Sequence, residues 1–187
     1  MALMIVGHPD LANSVANKTI VENLKQKTND LEIRHIQKLY PDYQINIKEE
    51  QQALLRHQSI ILQYPMYWYN MPAIQKIWFD HVFTYQFAYG SQGNKLKNKQ
   101  LLVSLTIGQT EDNFIQQDGN SIIDNLLLPV QKSAQYAQMK YLDPVILYGI
   151  SAVTGHTKSE TVEKALQHSQ KLFQAIQKLE SNISLSN

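Results

Sequence analysis

The chain has no cysteine, which excludes disulfides, thiolate metal sites and a cysteine nucleophile. That absence agrees with a reducing compartment, and the expected location is cytoplasmic. It also lacks a strong charge of either sign. The formal net charge is +1 and no long run of one sign occurs, so no nucleic-acid footprint is expected. No apolar stretch approaches the roughly 20 residues of a membrane helix, and no membrane insertion is expected. The opening MALMIVGHPD is short and has no basic leader, so it reads as a first strand rather than a signal peptide. Glycine is sparse. Gly7, Gly90 and Gly93 lack the spacing of a P-loop or a Rossmann turn. The histidines are scattered and form no His-Glu-x-x-His helix, so no metal site is expected.

What is present suits one domain spanning residues 1–187. Ala2 to Val6 is a continuous apolar run, the mark of a strand buried on both faces. A helix follows from about Ser14 to Lys27, with Asn13 or Ser14 as its cap. Leu31 to Ile36 alternates and predicts a strand near a sheet edge. Asn46 caps a helix through about His57, with Glu49 and Glu50 in its first turns. The third strand is Ser59 to Gln63, and Pro72 opens a helix to about Phe83. Leu101 to Ile107 and Val145 to Ile150 are strands four and five, with helices from Ser121 to about Gln138 and from Lys158 to Glu180. This alternation predicts an α/β three-layer sandwich: a five-stranded parallel sheet in the flavodoxin-like order 2-1-3-4-5.

In such a sheet ligands sit beyond the carboxyl ends of the strands. Three loops should converge there. The first carries His8, Ser14 and Asn17 at a helix N-terminus, which suits an anion such as phosphate. The second is YPMYWYNMPA, residues 64–73, which concentrates aromatics between Pro65 and Pro72 where a central strand could not use them. The third carries Thr106 and Gly108, where backbone can approach a ligand closely. A phosphate seat, a flat apolar wall and a polar backbone edge describe a site for a planar ring with a phosphorylated tail, such as FMN. Each part also has a plainer reading: Ser14 as a helix cap, Gly108 as a strand end, and Trp68 as cover for the sheet or as an interface residue.

The block QYPMYWYNMPAIQKIWFDHVFTYQFAYG, residues 63–90, resembles the signature of the NAD(P)H:quinone oxidoreductase family with a flavodoxin-like fold. The small bacterial members, general stress proteins and the ancillary quinone reductase of potassium efflux, are most similar. GHPD…NSVANK (7–18), LYPDYQINIKEEQQAL (39–54) and MKYLDPVILYGI (139–150) support the resemblance along the chain. It implies that His8, Ser14, Ala16 and Asn17 hold the flavin phosphate and tail. It implies that Pro65, Met66, Tyr67, Trp68 and Tyr69 frame the ring, with Trp68 on the flavin, and that Thr106, Ile107 and Gly108 meet its polar edge. It further implies FMN or FAD as cofactor, NAD(P)H as co-substrate, a quinone-like acceptor, ping-pong hydride transfer and a homodimer. Two departures stand out. Gln109 replaces a family glycine, and Phe114 and Asn120 stand where better-studied members carry a tyrosine and a histidine. Those departures favour the alternative of a flavin-binding regulatory subunit at a potassium/proton antiporter, peripherally associated with the membrane. A flavodoxin-type electron carrier fits less well, because such carriers are strongly acidic.

Overall fold

The computed structural model describes residues 1–116, 119, 121–151, 153 and 155–184. The elements run β1 (Ala2–Val6), α1 (Val15–Lys27), β2 (Leu31–His35), α2 (Ile36–Leu39), α3 (Ile47–Arg56), β3 (Ser59–Pro65), α4 (Ala73–Val82), β4 (Gln100–Thr106), α5 (Ile123–Tyr136), β5 (Lys140–Tyr141), β6 (Val145–Leu147) and α6 (Lys158–Ser184). The strands are all parallel, in the order β2-β1-β3-β4-β5, with β6 also paired to β4. Helices cover both faces. Leu3, Ile5, Ile60, Leu62, Val103 and Leu105 pack towards α3, α4 and α5. Met4, Val6, Ile61 and Leu102 pack towards α1 and α6. This two-sided burial explains why β1 and β3 read as continuous apolar runs, and β2, half-buried along its length, as an alternating edge.

Several boundaries differ from the sequence reading, and three of them have a clear physical cause. The second strand ends at His35, because Ile36 turns into the short helix α2 and buries its side chain there. The third strand runs on to Pro65, and Tyr64 is core rather than loop. Pro65 is tolerated because odd-numbered residues of β3 face β1: Gly7 donates to the Gln63 carbonyl at 2.9 Å. Two residues further on β1 has ended, so the missing N–H has no partner to lose. The last strand ends at Leu147, not Ile150, and is preceded by the short β5. Leu101 pairs with Tyr141 and Ser104 with Val145, so one extra residue is accommodated in Leu142-Asp143-Pro144, a bulge.

Glu50 also does more than open a helix. Its carboxylate is fully buried and accepts from Tyr40 Oη (2.6 Å), Trp78 Nε1 (2.8 Å) and Arg34 Nε (2.9 Å) and Nη2 (2.6 Å). This cluster ties β2, α2, α3 and α4 together below the loops. Glu49 does lie in the first turn as expected, its N–H donating to the Asn46 cap.

Candidate functional site

Ser14 caps α1. Its Oγ accepts from the Asn17 N–H at 3.3 Å and from Asn17 Nδ2 at 3.2 Å, which leaves the hydroxyl proton to point elsewhere. Asn17 is buried. Its Nδ2 donates to Thr106 Oγ1 at 2.9 Å, and its Oδ1 accepts from Gln63 Nε2 at 2.8 Å. The Asn17 side chain is thus a strut joining α1, β3 and β4, and the Thr106 hydroxyl belongs to the same strut. Ala16 is buried in the first turn, where backbone N–H groups have no intrahelical partner. His8 is nearly buried, and its Nδ1 accepts from the Asp10 N–H at 3.0 Å. Nε2 therefore carries the proton of the neutral ring. Burial first, and then His35, push its pKa down to about 4, against the opposite pull of Asp10. His8 and Ser14 thus offer a neutral N–H and a hydroxyl beside a positive helix end.

Tyr67 and Asn70 exchange both backbone hydrogen bonds, at 2.9 and 3.0 Å, so Trp68 and Tyr69 form a two-residue turn. Their φ angles are 49° and 62°. Positive φ at both central positions is the type I′ pattern, which glycine and asparagine normally supply. Two bulky aromatics in that conformation carry strain, and strain of this kind gathers at functional sites. The indole is 94% exposed at the turn's tip. Behind the turn, Met66 extends the ladder by donating to the Thr106 carbonyl at 2.8 Å.

The third loop is locked to a fourth, residues 147–151. Ile107 donates to the Leu147 carbonyl at 2.7 Å, and Gly149 donates to the Gln109 carbonyl at 2.8 Å. A side chain at Gly108 would press on Ser151 Cβ at 3.2 Å. Phe114 is buried, with its ring 6.2 Å from that of Tyr69 and 5.8 Å from that of Tyr148. The Tyr148 hydroxyl is held protonated by burial, then by Glu111 and Asp124.

These loops enclose a cleft of about 320 Å³ that brings together Met66, Trp68, Tyr69, Ile107, Gly108 and Phe114 with Gln109, Ser151 and Val153. Tyr67 links it to His8, whose ring lies edge-on at 6.3 Å. Pro65, Ala16, Asn17 and Thr106 stand behind the surface, and Ser14 lies beside the cleft rather than in it. Asn120 lies outside the described residues. Sequence reasoning missed Ser151 and Val153. The signal was available, since a parallel strand beside β4 must deliver its following loop to the same end of the sheet.

A doubly wound sheet with convergent loops at the carboxyl ends of β1, β3, β4 and β6 defines a flavodoxin-type protein. Residues 1–173 match the flavodoxin-like fold family, and the chain belongs to it. It is 40% identical over 167 residues to an uncharacterized NAD(P)H oxidoreductase, YrkL, of Bacillus subtilis (strain 168), covering 88% of this chain and 92% of that one. It is 37% identical over 148 residues to the glutathione-regulated potassium-efflux system ancillary protein KefF of Enterobacter sp. (strain 638), covering 79% and 83%. Among solved structures, general stress protein 14 of Treponema denticola in complex with FMN superposes with a TM-score of 0.81 at 27% identity, covering 91% of this chain and 97% of that one.

Proposed function

We propose that the chain is an FMN-dependent NAD(P)H:quinone oxidoreductase. The observation that carries this reading is the strained Trp68-Tyr69 turn. It faces the Gly108–Ser151 crossing over a cleft of about 320 Å³, a shape suited to a planar ring. The donor set fits the cofactor. Neutral His8 Nε2–H, the Ser14 hydroxyl and the first-turn amides of α1 would hold the phosphate. Met66, Trp68 and Tyr69 would border one side of the ring, and Ile107 to Gln109 its polar edge. FMN, when bound, supplies the two-electron hydride chemistry; the protein binds, orients and excludes water. Phe114, packed between Tyr69 and Tyr148, has no proton to give, so a proton for the reduced acceptor comes from solvent. Nicotinamide and acceptor would use the one cleft in turn, which gives ping-pong kinetics.

The relatives named as NAD(P)H oxidoreductases and the FMN-bound neighbour support this reading. A small groove between α4 and α5, with Tyr64, Met71, Phe79 and Val130 along it and Tyr69 at its mouth, would be the surface for a second copy. The test is direct. Protein purified with FMN should be yellow and should oxidise NADH or NADPH when a quinone is added, with parallel double-reciprocal lines. No flavin binding by fluorescence quenching would end the proposal. A second reading, regulation of a potassium/proton antiporter, draws on the similarity to KefF and on Phe114 in place of a hydroxyl. Co-purification with such a transporter, with slow quinone turnover, would favour it.

A further inference from the structure

The segment that brings Ser151 and Val153 to the ring cleft is tied down from behind by α6. Lys164, half-buried in the second turn of that helix, donates to the Gly149 carbonyl at 3.1 Å and to His156 Nε2 at 3.2 Å. One ammonium thus clasps both ends of residues 149–156, and the two cleft residues stand between those ends. An accepting Nε2 puts the proton of the neutral imidazole on Nδ1. Gly149 suits the clasp. Its φ is 65°, and a Cβ there would lie 3.1 Å from His156 Nε2 and 3.2 Å from Lys164 Nζ. The clasp has weight because the bonds from this segment to the third loop are uneven. Gly149 donates to the Gln109 carbonyl at 2.8 Å, whereas Ile150 and Ser151 meet the Ile107 and Gly108 carbonyls at 3.4 Å, long for such bonds. The start of α6 is itself fixed. The Thr157 N–H donates to Glu160 Oε2 at 2.7 Å and the Glu160 N–H to Thr157 Oγ1 at 3.2 Å, a capping box.

We propose that Lys164 is a positioning residue for the ring cleft: through Gly149 and His156 it fixes where Ser151 and Val153 stand against a bound ring, and protonation of His156 releases that hold. The identity of the ring rests on the flavin reading above, whereas the clasp itself does not. A protonated imidazole has no lone pair for the ammonium to donate to, and it sets a second positive charge beside the first. Glu160 faces both groups from α6. The Thr157 N–H and then the Thr157 hydroxyl hold its carboxylate below the usual range, so it keeps its charge as His156 gains one. Engaged with Thr157, it softens the repulsion but does not replace the lost hydrogen bond. Around the recess beside Lys164 stand Glu111 from the third loop, Tyr148 after β6, and His168 and Lys171 from α6. Glu111 and Lys171 oppose one another in sign. His168, lowered to about 4, stays neutral in mild acid, and Tyr148 is held protonated, so neither competes with His156 as the source of an effect there.

The experiment measures FMN affinity by fluorescence quenching at about pH 8 and about pH 5.5, the interval in which imidazoles change charge. It compares wild type with Lys164→Met and with His156→Gln, whose amide oxygen can accept in place of Nε2 without titrating. The FMN phosphate titrates in the same interval for all three proteins, so the ratio of each variant's Kd to that of wild type is read. At the higher pH, Lys164→Met should bind FMN about tenfold more weakly, the size of one lost charge-assisted bond, and His156→Gln should match wild type. At the lower pH the Lys164→Met deficit should shrink, because wild type has lost the clasp too, and His156→Gln should bind more tightly than wild type. A Lys164→Met ratio near one at the higher pH overturns the proposal. A deficit of the same size at both pH values also overturns it, and marks a merely structural lysine. Backbone amide exchange in the flavin-free protein separates this proposal from the flavin reading. Faster exchange at Gly149 to Ser151 in Lys164→Met, with no FMN binding by any of the three, would leave the clasp standing and remove the flavin reading. Unchanged exchange there, with full FMN binding by wild type, would remove the clasp and keep that reading.

Discussion

The Glu50 side chain is fully buried among Arg34, Tyr40 and Trp78. Removing one partner of such a cluster leaves the other stranded, which costs about 3–5 kcal/mol. Glu50→Leu should therefore lower the urea midpoint sharply, and Arg34→Met in the same chain should recover much of the loss; two additive losses would show that the pair is not coupled. Gly7 makes a different demand. A Cβ there would lie 2.1 Å from Gln75 Oε1 and 2.7 Å from Gln75 Cβ. Gly7→Ala should cost about 1–3 kcal/mol by overpacking, with partial rescue by Gln75→Ala, measured by thermal denaturation. Two histidines set the response to acid. His168 is buried against Ser104 Oγ at 2.8 Å. Burial first, and then Lys171, push its pKa from 6.5 down to about 4, against the Ile146 backbone. His8 is lowered to about 4 as well. Between these values the unfolded chain binds more protons than the folded one. Their contribution to stability is thus complete above about pH 6.5 and is lost as pH falls towards 4. Imidazole NMR titrations should show both midpoints near 4; ordinary midpoints near 6.5 would refute the assignment.

At the scale of elements, the aromatic turn sets stability against binding. Replacing Trp68-Tyr69 by Asn-Gly supplies the residues that a type I′ turn prefers. The flavin-free protein should gain about 1 kcal/mol or more, since each strained residue costs about 1–3, while FMN affinity and quinone turnover should fall. Equal stability of the two proteins would mean that the turn stores no strain. Nothing in the sequence marked this turn type, because Trp-Tyr contradicts its usual composition. Strands buried on both faces were legible, since Ala2–Val6 and Ile60–Leu62 offer no polar alternative. The Asn46 and Ser14 caps were legible from side-chain chemistry alone. The Glu50 cluster was not: Arg34, Tyr40 and Trp78 lie on three different elements, and only the folded topology brings them to one carboxylate. The Asn17 strut was hidden for the same reason: Asn17 and Thr106 read as ligand contacts and Gln63 as a strand end, whereas the fold bonds the three to one another.

The whole molecule carries an apolar seam on one side. Tyr136 is 69% exposed, and its ring lies 5.5 Å from that of Tyr89, close to the α4–α5 groove. If that seam seats a second copy, wild type should sediment as a dimer, and Tyr136→Glu should shift it towards monomer with weaker FMN binding. A wild-type monomer at micromolar concentration would refute this arrangement. No helix among the described residues is long and apolar enough to cross a membrane.

The interrupted edge beyond β4 has one more consequence. An unbroken outer strand would present a row of free amides and carbonyls on which another sheet could grow. Here that row is cut into lengths of two and three residues by Leu142-Asp143-Pro144, with Lys140 at its exposed start. The opposite edge carries Glu32 and Arg34, and Glu32 also meets Arg56 at 3.1 Å. Both margins of the sheet thus carry features that disfavour strand addition, beside an aromatic face free to meet a partner.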